Sequence, residues 1–247
     1  SRQIALAAHY GKDRVRRVFL ADGDALVLPT AKLLKILQAL RDTFPKLQRV
    51  SSYAAPKDIL RKSEEELRQL KEAGLQLLYY GMETGDDITL KAVNKGVNGE
   101  EAVEAGRRVT ASGMKLSIMV ILGLAGKEGS KRHALETAKA INIIQPTMWS
   151  ALCLMLYRGS ELLDQFERGE FNPLSPAECM EELYTIMENV DLPEDKHCLF
   201  RSNHISNYIP LAGTLPKDKQ RLLREIKYSA HELSKLKNWD VYNNTEY

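Results

Sequence analysis

Acids and glycines close successive apolar runs in this chain, and those are the residue types that could build a ligand site. Asp22-Gly23-Asp24 follows the run Val15–Ala21. Its carboxylates and nearby backbone carbonyls can accept hydrogen bonds from an ammonium group, although Asp-Gly is also ordinary turn chemistry. Glu83 ends the run Leu77-Leu78-Tyr79-Tyr80-Gly81-Met82. An acid closing so apolar a strand belongs at an open end, because burial without a partner is costly. It could equally cap a helix starting near Asp86. Lys95 stands just before Gly96 and could meet an anionic ligand, or serve as a solvated helix-end cation. In Ile121-Leu122-Gly123-Leu124-Ala125-Gly126-Lys127-Glu128 the glycines would let backbone approach a flat ligand such as adenine. That stretch has neither the phosphate-loop pattern nor Gly-x-Gly-x-x-Gly, which argues against nucleoside triphosphate or dinucleotide binding. Arg201-Ser202-Asn203-His204 and Asn207-Tyr208 concentrate hydrogen-bonding groups that could cover a site or satisfy their own loop. The five histidines are scattered, His133 falls among charged residues, and no Ser-His-Asp or Cys-His arrangement emerges.

The elements that must position these residues alternate. Apolar runs at Val15–Ala21, Arg49–Tyr53, Leu75–Glu83, Lys115–Leu124 and Met148–Tyr157 predict strands, several apolar enough to be buried on both faces. Helical periodicity separates them. Leu33, Leu37 and Leu40 make one stripe before Pro45, and Ser63 with Glu66 predicts a capping box on a helix ended by Gly74. A third helix is expected over Gly99–Gly113, and a fourth capped by Ser130 and stopped by Pro146. Repeated β-α units mean a parallel sheet. Polar or glycine-rich ends close nearly every strand: Asp22–Asp24, Ser51-Ser52-Tyr53, Glu83–Gly85, Gly123–Glu128 and Tyr157-Arg158-Gly159. A ring of such ends favours a partial TIM-like parallel (β/α) barrel over an open sheet with one switch point. The barrel is expected over residues 1–165, with a mainly helical and extended C-terminal region over 166–247. In that region Glu161–Arg168, Pro176–Asn189 and Lys217–Lys237 read as helices. Cys198–Leu215 reads as an extended cap and not as another β-α unit.

Composition narrows the partners. Lys and Arg total 35 against 33 Asp and Glu, which leaves no electrostatic footprint for nucleic acid or an anionic membrane. Ile118–Leu124, the longest apolar run, is too short to cross a bilayer. Cys153, Cys179 and Cys198 have neither metal spacing nor an even count, so a reducing cytoplasm is expected. Ser1–Gly11 reads as the tail of a helix, and the parent protein is expected to begin upstream.

Taken in order, these motifs resemble the radical S-adenosylmethionine (SAM) superfamily, and most closely its branch around oxygen-independent coproporphyrinogen oxidase. Phe19-Leu20-Ala21-Asp22-Gly23-Asp24 looks like the family's Gly-Gly-Glu-type segment, which binds the SAM amino group. Tyr80-Gly81-Met82-Glu83 with Leu90-Lys91-Ala92-Val93-Asn94-Lys95 is similar to its fourth-strand motif and the Leu-Lys-x-Val-Asn-Arg/Lys stretch beyond it. Ile121–Gly126 looks like the adenine-packing segment, and Leu156-Tyr157-Arg158-Gly159 like the turn after the sixth strand. The resemblance implies that Asp22, Gly23, Asp24, Ser52, Glu83, Lys95, Ile121, Gly123 and Tyr157 line a SAM site. Glu83 would contact SAM and Lys95 would pair with its carboxylate. It further implies a [4Fe–4S] cluster, reductive cleavage of SAM to a 5′-deoxyadenosyl radical, a small-molecule substrate and an electron donor. Two departures stand out. The Cys-x3-Cys-x2-Cys loop is not among these residues, so its ligands are expected upstream of Ser1, and Met119 replaces the acid that holds the SAM ribose. Two other readings stay open: a barrel binding a nucleoside or partner without radical chemistry, and a Mg²⁺ enzyme using Asp22, Asp24 and Glu83.

Overall fold

The computed structural model describes Ile4, His9 and residues 11–236. Most of the Ser1–Gly11 stretch read as a helix tail, and Lys237 at the end of the last expected helix, lie outside the described residues. Seven strands form one sheet in sequential order: β1 (Arg17–Asp24), β2 (Arg49–Ala54), β3 (Leu75–Glu83), β4 (Lys115–Leu122), β5 (Met148–Cys153), β6 (Cys198–Ser202) and β7 (Leu211–Leu215). β1 to β6 are parallel, and β7 returns antiparallel to β6. The result is the expected partial parallel β/α barrel. Nine helices connect or follow the strands among the described residues: α1 (Thr30–Thr43), α2 (Pro56–Leu60), α3 (Glu64–Glu72), α4 (Asp87–Ala92), α5 (Gly99–Ala111), α6 (Gly126–Ile144), α7 (Glu161–Glu167), α8 (Pro176–Asn189) and α9 (Lys219–Leu233). None of the described helices is long and apolar enough to cross a membrane.

Local chemistry sets these boundaries. Ser63 and Glu66 form the expected capping box on α3, and Asn98 with Glu101 and Ser175 with Glu178 repeat the device on α5 and α8. Ser130 does not cap α6, which begins four residues earlier at Gly126 behind Ala125. Gly126 adopts φ +62° and Gly123 φ +80°, so the chain turns sharply into the helix before Ser130 is reached.

Strand alternation divides the sheet into two faces. On one, Val50, Leu78, Tyr80, Ile118, Val120, Leu122, Trp149 and Phe200 are buried with the stripes of the helices. Cross-strand register places Tyr53 beside Tyr79 and Ser117, and Gly81 beside Met119, Ser150 and Arg201, on the other, concave face. Residues 198–215 depart from the expectation that they form an extension outside the alternation. β6 pairs parallel with β5 after α8, which packs on α6 and β4, so a β-α unit continues there. Residues 198–202 are too few and too mixed to announce a buried strand. Cys198 and Phe200 are buried nonetheless, with Phe200 stacked 4.5 Å from Trp149.

Candidate functional site

Because β1 to β6 run parallel, the segments after Asp24, Glu83 and Leu122 emerge at one end of the sheet. Two strands are irregular there. The β3–β4 register slips between Gly81 and Glu83, and the β1–β2 register slips between Leu20 and Asp24. Such bulges re-aim side chains beside sites. Glu83 adopts φ +63° and Asp22 φ +66°, left-handed backbone that non-glycine residues hold only at a strain of roughly 1–3 kcal/mol.

The strained Glu83 carboxylate folds back over Gly81. A Cβ on Gly81 would lie 2.3 Å from Glu83 Oε1 and 3.4 Å from Lys95 Nζ, so a bare glycine is what lets the two side chains occupy this place. Lys95 Nζ donates to Glu83 Oε1 at 2.9 Å, and both side chains keep about a fifth of their surface exposed, at 23% and 21%. The ordinary cap reading of Glu83 is not what is seen, because Asp86 caps α4 instead.

Asp24 is occupied locally. Its carboxylate accepts from Leu26 N–H at 2.7 Å and Ala55 N–H at 2.5 Å, and burial raises its pKa despite those bonds. Asp22 and Gly23 are exposed beside it. Ser52 lies on the helix-packed face, fully buried, with its hydroxyl donating to Tyr53 C=O at 2.9 Å. This places it away from the concave surface, since the period-2 alternation sends its neighbours Ser51 and Tyr53 there instead. Ile121 shares the concave face with Met119, and Tyr157 is exposed in the turn after β5 with its hydroxyl near Met155 Sδ. A side chain at Gly123 would meet Leu174 and Cys179, not the concave face. What the fold takes from Gly123 is its left-handed backbone. Of the residues expected in the site, the structure thus joins Glu83 with Lys95 directly. It places Asp22, Gly23, Ile121, Gly123 and Tyr157 at or near the same end, and engages Asp24 and Ser52 in the fold.

Sequence reading missed two features. Phe19, Tyr53 and Tyr79 form an aromatic cluster on the concave face, with centroids 4.9 Å and 5.6 Å from Phe19. Phe19 and Tyr53 remain 41% and 47% exposed, so ring surface is open on this face. The period-2 placement of Tyr53 and Tyr79 was the available signal. Behind the mouth, His133 is fully buried and not among solvated charges, because the Gly126-Gly129-His133-Thr137-Ile141 stripe of α6 faces inward. Its Nδ1 lies 2.7 Å from Thr84 Oγ1, and its Nε2 lies 3.5 Å from Glu182 Oε1. Burial pushes Glu182 up to about 7 and His133 down to about 4, disfavouring the charged form of each. An acid on the Cys179-Leu183-Ile186 stripe of α8 was the overlooked signal. Burial alone would also raise Asp86, but hydrogen bonds from Arg132 and Thr89 outweigh it and hold that carboxyl low.

The mouth fits a zwitterionic amino acid attached to an aromatic nucleoside. Glu83 and Lys95 offer one charge of each sign side by side, and exposed rings line the face below. The cysteines do not fit an iron–sulfur cluster. All three are buried, and Cys153 and Cys179 lie against each other within hydrogen-bonding reach. The hydrogen bond from Cys153 and burial push the Cys179 thiol well up, and burial pushes Cys198 up to about 12, so thiolates are disfavoured. A Mg²⁺ site is not favoured either. Asp24 is held by backbone amides and Glu83 by Lys95, and no group of three His, Cys, Asp or Glu placed to hold a metal occurs among the described residues.

A family profile described as the radical SAM superfamily matches residues 2–137. A tRNA uridine(34) acetyltransferase of Methanocaldococcus infernus is 26% identical over 172 residues, covering 69% of this chain and 31% of that protein. Heme chaperone HemW of Bacillus subtilis is 22% identical over 186 residues, covering 74% of this chain and 48% of its own. The chain therefore spans a third to a half of these relatives. Among solved structures, archaeal Methanocaldococcus infernus Elp3 with an N-terminal deletion superposes with a TM-score of 0.61 at 17% identity, covering 88% of this chain and 54% of that one. Coproporphyrinogen III oxidase (HemN) from Escherichia coli gives 0.56 at 17% identity, covering 76% and 42%.

Proposed function

The chain belongs to the radical SAM superfamily, and from that premise we propose that it forms the SAM-binding barrel of a radical SAM enzyme acting on a small-molecule substrate. The observation that carries this reading is the Glu83–Lys95 pair, folded over a glycine at the end of a bulged strand. Each residue holds the other in place. The amino acid end of SAM carries an ammonium and a carboxylate, so its entry would replace one ion pair with two: ammonium on Glu83, carboxylate on Lys95. The Glu83 backbone strain keeps the carboxylate aimed at the mouth before binding.

When bound, SAM and its [4Fe–4S] cluster supply reductive cleavage to methionine and a 5′-deoxyadenosyl radical. Thiolates for that cluster are proposed to come from outside these residues; an interacting electron donor and a reducing, cytoplasmic setting are proposed as well. On the chain's own side, the Phe19-Tyr53-Tyr79 surface offers apolar cover that would keep water from a reactive species. Ser150 and Arg201 share the concave face on the β5–β6 side. The substrate is proposed to approach there. Neither nucleoside binding without radical chemistry nor Mg²⁺ catalysis is favoured.

The test uses the full-length protein, reconstituted anaerobically with iron and sulfide. Absorbance near roughly 400 nm and release of 5′-deoxyadenosine on reduction are expected. Glu83→Ala is expected to weaken SAM binding without unfolding the chain. A full-length sequence lacking three cysteines in family spacing, or unchanged SAM affinity in the variant, would count against the proposal.

A further inference from the structure

The turns after β3 and β4 are tied together from behind by buried side chains of α6 and α8. Glu182 of α8 accepts from Gly123 N–H at 2.7 Å and from the Ser130 hydroxyl. Its Oε1 stands 3.5 Å from His133 Nε2. The other ring nitrogen lies 2.7 Å from Thr84 Oγ1, which itself accepts from Asp86 N–H at 2.9 Å. Next to Thr84, Gly85 N–H donates to Thr137 Oγ1 at 3.0 Å.

Thr84 Oγ1 accepts from Asp86 N–H and still has its own proton to donate to His133 Nδ1; in that tautomer the ring proton sits on Nε2, on the side of Glu182. His133 Nε2 has no acceptor within hydrogen-bond distance in this arrangement, so Glu182 is the polar group that faces it. Glu182, His133, Thr84 and Thr137 are at most 2% exposed, so water cannot replace a lost partner. No Lys or Arg of the described residues pairs with Glu182. Lys127 is engaged with Glu178, and Arg132 with Asp86.

We infer that Glu182 and His133 are positioning residues that fix the Gly123 turn relative to the Glu83 turn. The two ends of SAM, nucleoside and amino acid, would then meet groups held at one spacing. This rests on reading the mouth as a SAM site. It also gives α8, which lies beyond the residues matched by the family profile, a part in completing that site. The tie runs by hydrogen bonds from Gly123 through Glu182 to Ser130 on α6, and from His133 on α6 to Thr84, and it needs no net charge; an amide of the same shape preserves it once the Ser130 hydroxyl turns to accept from the amide N–H.

The experiment compares Glu182→Ala, Glu182→Gln and Thr84→Val in the full-length protein. SAM affinity is measured by calorimetry after cluster reconstitution, and Gly123 amide hydrogen exchange by NMR without any cofactor. Glu182→Ala is expected to speed Gly123 exchange and weaken SAM about 10-fold, the upper range for one lost hydrogen bond. Glu182→Gln restores both to within about threefold, a rescue that generalised loosening would not produce. Should Glu182→Ala fail to fold, Thr84→Val carries the test, since it removes the His133 partner, together with the acceptor of Asp86 N–H, at nearly constant shape and is expected to weaken SAM several-fold. SAM binding at wild-type strength in Glu182→Ala or Thr84→Val overturns the inference, as does a Glu182→Gln no better than Glu182→Ala. If no form binds SAM, wild type included, while Gly123 exchange still responds to Glu182→Ala, the cofactor reading fails and the structural tie stands.

Discussion

Replacing Gly81 with alanine separates the binding role of the Glu83–Lys95 pair from any structural one. Gly81 has an ordinary strand conformation, so its backbone accepts alanine. The added Cβ would lie 2.3 Å from Glu83 Oε1 and 3.2 Å from Glu83 Cδ. Those atoms end a flexible side chain, so the carboxylate swings away and the strand stays. An ion pair this exposed contributes at most about 1 kcal/mol, and removing a strand glycine returns roughly 0.4–1 kcal/mol through the unfolded chain. The two nearly cancel, and the melting temperature should move by less than about 4 °C. Binding behaves differently. Displacing the carboxylate removes one charge-assisted contact of about 1.5–3 kcal/mol, so SAM should bind roughly 10- to 150-fold more weakly by calorimetry on the reconstituted full-length protein. A melting temperature more than about 10 °C lower would mean that Gly81 serves the fold. Unchanged SAM affinity in a stable variant would refute the role given to the pair.

Gly85 offers the opposite contrast. A Cβ there would sit 2.3 Å from Glu136 C=O in the α6 backbone, which cannot swing aside, so Gly85→Ala should lose about 1–3 kcal/mol in denaturant unfolding. The buried acid and histidine predict a pH signature. Glu182 is raised from 4.5 to about 7, so the folded state binds the extra proton, and this contribution to stability grows as pH falls through 7 toward 4.5. His133 is lowered from 6.5 to about 4, so its contribution is lost as pH falls from 6.5 through 4. The two oppose each other in the wild type. Glu182→Gln removes the first, and relative to wild type its stability should fall by roughly 3 kcal/mol between pH 7 and pH 4.5. Parallel stability profiles for the two proteins would show that Glu182 does not titrate in this way.

The sequence by itself settled the alternation of strands and helices, the parallel sheet and the end at which its polar residues collect. Those features follow from local periodicity and from turn and cap chemistry, which residues such as Ser63, Glu66 and Pro176 carry within a few positions of themselves. The place of Glu83 at the open strand end was also legible, because an acid closing an apolar strand has few places to go, whereas its pairing with Lys95 came from the structure. Only the tertiary structure decided the rest. It turned Ser52 to the helix face, engaged Asp24 with Ala55 N–H, brought residues 198–202 into the sheet as β6, and buried His133 against Glu182. Each of these depends on partners that are distant in sequence: Ala55 is 31 positions from Asp24, and Glu182 is 59 positions from the Gly123 amide it receives. Whether a polar residue faces water, backbone or another buried group is set by which surfaces the packed layers bring together, and no window of neighbouring residues contains that information.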